Sequence, residues 1–308
     1  MAAYIIRKLL YSVLVLYGVL TITFFINYVL PGDPARLLLG QRADIASVEA
    51  LRKQLGLDRP LYEQYVNYLW RVLHGDLGRS FATNRDVVET IAERIPATAL
   101  LAVSAITLAS ILGILLGIFS ALRANTWLDT TIMTTALLGI SLPSFVTGLL
   151  FALLFGVLLQ WLPISGYINR GWEYLLLPMI TLGVRPLSII ARLTRSSMLE
   201  VLHQEYIRTA KAKGLPQSAV LFKHALRNAL NPVVTTVSAW FAALLAGTFF
   251  IEYIFNWPGI GTVAINAIEK LDYPVIQGVV LFTAVVFVII NLLVDIIYAF
   301  LDPKIKLS

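Results

Sequence analysis

The chain reads as long apolar runs separated by short polar breaks. A membrane span takes about 20 apolar residues. Six runs approach or exceed that length: Leu9–Leu30, Ala97–Leu122, Thr131–Leu159, Leu175–Leu193, Val233–Ile254 and Val275–Phe300. The fourth is interrupted by Arg185 and Pro186, and "GISLPSFVTG" (Gly139–Gly148) inside the third can kink a helix or admit close packing. This pattern predicts an all-α membrane protein of six transmembrane helices, with no internal repeat and no low-complexity tract.

Between the first two runs, Pro31–Pro96 changes character. Apolar and aromatic positions recur with helical spacing at Leu51, Leu55, Tyr62, Tyr65, Val66, Leu69, Trp70 and Leu73. Leu57-Asp58-Arg59-Pro60 reads as a stop and restart, and "DVVETIAERIP" as a short amphipathic helix feeding the second span. A small helical insert is expected here rather than a linker.

Composition agrees with the pattern. Of 308 residues, 58% are hydrophobic and 14% charged, against about 25% charged in a soluble domain. The net charge of +6 is read as cytoplasmic Lys and Arg, not as a nucleic-acid surface. The first apolar run is too long for a signal-peptide core, and no small-residue cleavage site follows it. The basic residues also orient the spans. Arg7 and Lys8 precede the first, Arg123 follows the second, and Arg192, Arg195, Arg208, Lys211, Lys213, Lys223 and Arg227 lie between the fourth and fifth. Lys304 and Lys306 close the chain. Six spans put all of these on one side, so both termini are expected in the cytoplasm. Pro31–Pro96, with nine basic and nine acidic residues, falls outside; segments longer than about 60 residues translocate largely regardless of charge.

Equipment for covalent chemistry is missing from the sequence. There is no phosphate-binding GxxxxGK[ST] loop, HExxH or GxSxG motif, and no cysteine. His74, His203 and His224 are too scattered to suggest a metal site. Polar residues inside the spans are costly to bury and attract attention for that reason. Asn27, Arg185, Asn291 and Asp295 either line a polar path or bond helix to helix.

The segment "EYIRTAKAKGLPQSAVLFKHALRNALNP" (Glu205–Pro232) is a basic interruption between apolar runs. Gly214 ends one helix, and Pro216 suits the first turn of the next. Leu221, Phe222, Ala225, Leu226, Ala229 and Leu230 then share one face, opposite Lys223, His224, Arg227, Asn228 and Asn231. Spacing alone leaves open an interfacial helix on anionic lipid or a docking helix for a cytoplasmic partner.

This segment resembles the cytoplasmic EAA loop of ABC importer permeases: E-A-A, three residues, G, nine residues, I-x-L-P. Aligned on Gly214, Ala210 and Leu226 match, whereas Arg208 and Arg227 replace the acid and the final proline. The variant is similar to that of the dipeptide/oligopeptide (peptide/nickel) branch, in its first, B-type subunit. So are "LPGDPA" (Leu30–Ala35), "ARLTRSSMLEVL" (Ala191–Leu202), "FNWPGIG" (Phe255–Gly261), "DYPVIQG" (Asp272–Gly278) and "LDPKI" (Leu301–Ile305).

The resemblance implies a type I importer permease fold in the cytoplasmic (inner) membrane. Residues 1–30 would hold the N-terminal end and first span, 31–96 an extracytoplasmic insert, 97–302 the permease core with its coupling loop at 200–232, and 303–308 a cytoplasmic tail. It implies a non-catalytic subunit for di- or oligopeptides, with nickel chelates, glutathione or oligosaccharides as alternatives and a stand-alone secondary transporter as a competing class. Its implied partners are a second permease subunit, two ATPase subunits that bind ATP and Mg, and an outer binding protein; the chain itself would hold no cofactor. The ATPase dock would comprise Arg208, Ala210, Gly214, Leu215, Pro216, Val220, Leu221, Phe222, Lys223, His224 and Arg227. Path or gate residues are expected among Asn27, Pro143, Arg185, Glu252 and Trp257, although Glu252 and Trp257 equally suit packing at the membrane boundary. Tyr62, Tyr65 and Trp70 are expected to meet the binding protein or the partner permease.

Overall fold

The structure is a computed structural model that describes residues 2–29, 34–39, 44–54, 56–246 and 248–301. The described residues are helical throughout apart from turns and one isolated bridge between Arg79 and Asp86. Much of Leu30–Ala35 and Leu301–Ile305, and the whole of 303–308, lie outside the described residues.

Four described helical segments are long and apolar enough to cross a membrane: Ile6–Ile26, Val87–Leu122, Glu173–Leu202 and Tyr273–Val294. Two further crossings exist only if bent pairs are counted. Trp127–Ser141 turns by 107° into Ser144–Leu158, and Gln217–Ala229 turns by 50° into Asn231–Ala246. This corrects the third and fifth expected spans. The 15 residues of Trp127–Ser141 rise only ~22 Å, short of a hydrocarbon core of ~30 Å. The break falls at Leu142-Pro143, where both residues are extended and the proline ring forbids a continued helix. The fifth run likewise divides into Asn231–Ala246 and Phe249–Ile254.

The chain forms two compact units. One comprises Met1–Ala97 with Pro258–Ser308. In it α1 (Ala2–Val29) packs on α15 (Tyr273–Leu301), with the short helices α2 (Pro34–Leu39), α3 (Ile45–Gln54), α4 (Leu61–Leu73), α5 (Val87–Ala92) and α14 (Ile260–Glu269). The helical insert expected from aromatic periodicity is α2–α5. Asp86 caps α5 by accepting from the Val88 and Glu89 N–H groups. Below it, buried Asp272 at the start of α15 accepts from Ser80 Oγ (2.6 Å), Phe81 N–H (2.9 Å) and Ala82 N–H (3.3 Å). These bonds hold the 80–82 loop against the α15 N-terminus.

The second unit is Thr98–Trp257. Its long helices are α6 (Ile95–Leu122), which begins at the unit boundary, and α9 (Glu173–Leu202). Around them lie α7 (Trp127–Ser141), α8 (Ser144–Leu158), α10 (Glu205–Ala212), α11 (Gln217–Ala229), α12 (Asn231–Ala246) and α13 (Phe249–Ile254). Gly113 and Gly117 form a GxxxG pair on α6 that meets α9 directly. A Cβ on Gly117 would lie 2.6 Å from the Ala191 carbonyl and 2.5 Å from Thr194 Cβ; one on Gly113 would lie 2.9 Å from the Leu187 carbonyl. Small residues admit this backbone approach, as in membrane helix pairs generally.

Helix α9 is longer than the fourth apolar run. Its 30 residues rise ~45 Å, beyond a ~30 Å core, with Pro178 and Pro186 buried inside it. Arg192 and Arg195, expected in a loop, belong to this helix: nothing after Leu193 breaks it before His203, and its polar end has length to project past the apolar layer.

Candidate functional site

The basic segment folds onto the end of α9 as a small module. Helix α10 buries Ile207 and Ala210. It ends in a left-handed turn at Gly214 (φ +73°), where the Gly214 N–H donates to the Lys211 carbonyl and the Leu215 N–H to the Ala210 carbonyl. This paired closure is the Schellman motif, which a residue with a Cβ enters only with strain. Pro216, extended, then precedes α11.

Within α11, Val220–Ala225 is a π-helical turn. It places Val220, Ala225 and Ala229 on one buried face, in a cluster with Ala121, Met198, Ile207 and Ala210. The extra residue corrects the expected face. Phe222, which a regular wheel groups with Ala225 and Ala229, is 62% exposed, and Val220 joins those two inside. Leu221 and Leu226 are half-buried against the cluster.

The surface so formed is apolar at its centre and cationic around it. Residues 211–218 are all exposed, as are Lys223 and Arg227, while His224 is half-buried. Leu215 and Phe222 present apolar area beside Lys211, Lys213, Lys223 and Arg227. Arg208 pairs with Glu205 at 2.8 Å on the exposed face of α10, and Asn228 Nδ2 ties α11 to α10 by donating to Tyr206 Oη at 2.8 Å. The module can present exposed charge and apolar area to another molecule while its other face is packed against α6 and α9.

The same end of the unit contains a group that sequence reading missed. Asp129, capped into the first turn of α7 by Thr126, is buried and accepts both Arg195 Nε and Nη2 at 2.6 Å. Ser120 Oγ and the Asn125 N–H (2.9 Å) also donate to it. Thr126-x-x-Asp129 is a capping pattern that could have marked the carboxylate. Its cationic partner, 66 residues away, reads in the sequence as a topology signal instead. An open groove of about 770 Å³ runs between α7 and α9, from Asn125, Thr130, Arg192 and Ser196 at one end to Leu137 and Ile140 at the other.

Asn27 lies in α1, with its side chain outside the described residues, as does that of Asp295 in α15. Pro143 sits at the α7–α8 break. Arg185 is exposed, 5.9 Å from the Trp240 ring, a cation–π distance. Glu252 and Trp257 are fully buried within this chain. Glu252 accepts from Thr98 Oγ1 (2.7 Å) and Thr248 Oγ1. Trp257 packs edge-on against Tyr167 and donates its backbone N–H to the Glu252 carbonyl at 2.7 Å.

The aromatic stripe of α4 divides. Tyr62 and Trp70 are exposed, Trp70 lying on His74. Tyr65 is half-buried, with contacts that face α1. Its hydroxyl bonds with Thr21 Oγ1 at 2.7 Å and its ring meets Phe24 and Phe25, because α4 lays one face on α1.

Residues 113–307 match the family described as "Binding-protein-dependent transport system inner membrane component", and residues 1–102 match "Binding-prot-dependent transport system membrane comp, N-term". Among similar proteins, the "Glutathione transport system permease protein GsiC" of Escherichia coli (strain K12) is 42% identical over 306 residues, 99% of both chains. The protein of the same name from Pectobacterium atrosepticum is 44% identical over 306 residues, again 99% of both.

Proposed function

The chain belongs to the family of binding-protein-dependent transport system inner membrane components, and from that premise we propose how it works and what it carries. It is a membrane permease subunit of an ABC importer. Our reading of the solute is a small peptide, with glutathione, named in the relatives, the first to be tested. A di- or oligopeptide is the second form of the same reading, supported by the sequence blocks of the peptide branch.

In this reading the α10–α11 module is the dock for an ATPase subunit, centred on Gly214–Lys223 and facing the cytoplasm with both termini. Two ATPases supply ATP and Mg, a second permease completes the path, and an outer binding protein delivers solute to the side where α2–α5 lie. Tyr62 and Trp70 are the residues of α4 proposed to meet a partner there. ATP-driven closure can bias the permease only through a difference in its interaction with two states. A dock serves that purpose if it is stiff and rooted in the transmembrane helices.

The observation that carries the proposal is that combination: Phe222 exposed on a helix whose opposite face is sunk between Ala121 of α6 and Met198 of α9. The test is the complete complex in proteoliposomes, with ATP hydrolysis and labelled-glutathione uptake measured together. Phe222→Ala and Gly214→Val are expected to lower uptake about tenfold or more, within the roughly 5–150-fold span of ordinary coupling energies. Unchanged uptake per ATP hydrolysed in both variants overturns the dock.

A further inference from the structure

Four hydrogen bonds meet on one side chain in the Thr98–Trp257 unit. Asp129 of α7 accepts from Ser120 at the end of α6, from the Asn125 N–H in the turn, and twice from Arg195 of α9. A guanidinium that engages both carboxylate oxygens fixes direction as well as distance. The α7 carboxylate therefore joins the end of α6, the turn that follows it and the distant α9 at one point.

The donors stand next to the foundations of the α10–α11 module. Ala121 follows Ser120, and Met198 lies one turn beyond Arg195; both belong to the buried cluster with Ile207, Val220, Ala225 and Ala229. The two helices that hold Asp129 thus also hold the dock. Helix α7 has a second attachment at its other end, where Gly139 lies so close to Ser188 of α9 that a Cβ would collide with its hydroxyl. The groove between α7 and α9 lies along this stretch. Between the two attachments, α7 packs along α9. The carboxylate–guanidinium joint is the directional tie at the dock end; without it, α7 keeps only the side-chain packing along α9 and the Gly139–Ser188 contact.

We infer that the Asp129–Arg195 pair is a positioning element of the import cycle, making α7 and its groove follow the dock. The inference rests on the reading of Gly214–Lys223 as that dock. Arg195 belongs to the "ARLTRSSMLEVL" block, and its work here is mechanical: it carries motion from the module to the broken span.

The experiment uses the complete complex in proteoliposomes, with assembled complex quantified by co-purification of all subunits. Asp129→Asn, Arg195→Lys and the double variant Asp129→Asn/Arg195→Gln are compared. Each is expected to keep ATP hydrolysis per assembled complex within about twofold while glutathione uptake per ATP falls about tenfold, a typical coupling loss. The double variant is expected to be no worse than the worse single one, as for residues acting as one unit.

A purely structural role predicts something else: ATP hydrolysis and uptake fall together with the amount of assembled complex, and their ratio stays at the wild-type value. That result overturns the inference. Should Asp129→Asn not assemble, Arg195→Lys decides, since it keeps the charge and loses the two-pronged geometry; a wild-type ratio there is equally fatal. The chain has no cysteine, which allows a further check. Asp129→Cys/Arg195→Cys bridged by a short bifunctional thiol reagent should regain uptake, and no recovery counts against the joint. Phe222→Ala is run alongside. If it uncouples while the pair variants remain coupled, only this inference fails; if all remain coupled, the dock reading fails with it.

Discussion

Asp129 and Asp272 are the same group under the same burial, each 3% exposed at the start of an apolar helix, yet they hold different things. Asp272 is ringed by a serine hydroxyl and two backbone N–H groups from three consecutive residues. Its charge is held by neutral dipoles, and the contact reaches no further than a loop. Asp129 also takes a serine hydroxyl and a backbone N–H, but adds a guanidinium from another helix. The first arrangement captures a loop locally. The second registers one helix against another, and breaking it leaves a buried charge alone.

That contrast is open to attack by mutation. The largest effect is expected for Arg195→Ala, which strands the Asp129 carboxylate. Removing one member of a buried pair costs about 3–5 kcal/mol, and the lower end applies because a quarter of the Arg195 side chain remains exposed. Thermal loss of assembled complex in nanodiscs would show it; a shift no larger than that of a surface variant would mean the pair is not an anchor. Asp272→Ala comes next. It orphans the buried Ser80 hydroxyl and the half-buried Phe81 N–H, at about 1–3 kcal/mol per buried group left unpaired. Its signature is local, in faster hydrogen exchange over 80–86 with α15 still protected. Exchange spreading through α15 would give Asp272 the wider reach reserved here for Asp129. Arg85→Gln, which breaks the exposed Arg85–Glu93 pair at 2.7 Å on the same loop, is expected to change neither measurement, as most surface ion pairs contribute little.

The apolar runs made the long helices legible, because crossing length and composition are properties of contiguous sequence. Their breaks were less so. A run bent by 107° at Leu142-Pro143 has the same hydropathy as a straight one, and only the proline hinted at the turn. Gly214 was readable as a helix end because its left-handed backbone suits a residue without a Cβ. Phe222 parts from Ala225 and Ala229 for a geometric reason: the wheel assumes 3.6 residues per turn, and the π turn at Val220–Ala225 rotates the residues within and beyond it. Tyr65 shares its period with Tyr62 and Trp70, and period alone does not say which of them meets α1. Arg195 reads as a topology signal because pairings across 66 residues leave no trace in spacing. The Gly113/Gly117 pair stands in plain view and gains its meaning only from α9.

The approach of Gly113 and Gly117 to the Ala191, Thr194 and Leu187 atoms leaves no room for a single added methyl group. Mechanically that seam is a weld. Helices α6 and α9 meet there at close backbone range, a contact suited to turning the pair together as one beam. Bending must then be delegated to the articulations the chain does possess, at Leu142-Pro143 and at the Leu230 joint between α11 and α12. The Thr98–Trp257 unit is built less like a bundle that breathes than like a crank, with one stiff arm and two elbows.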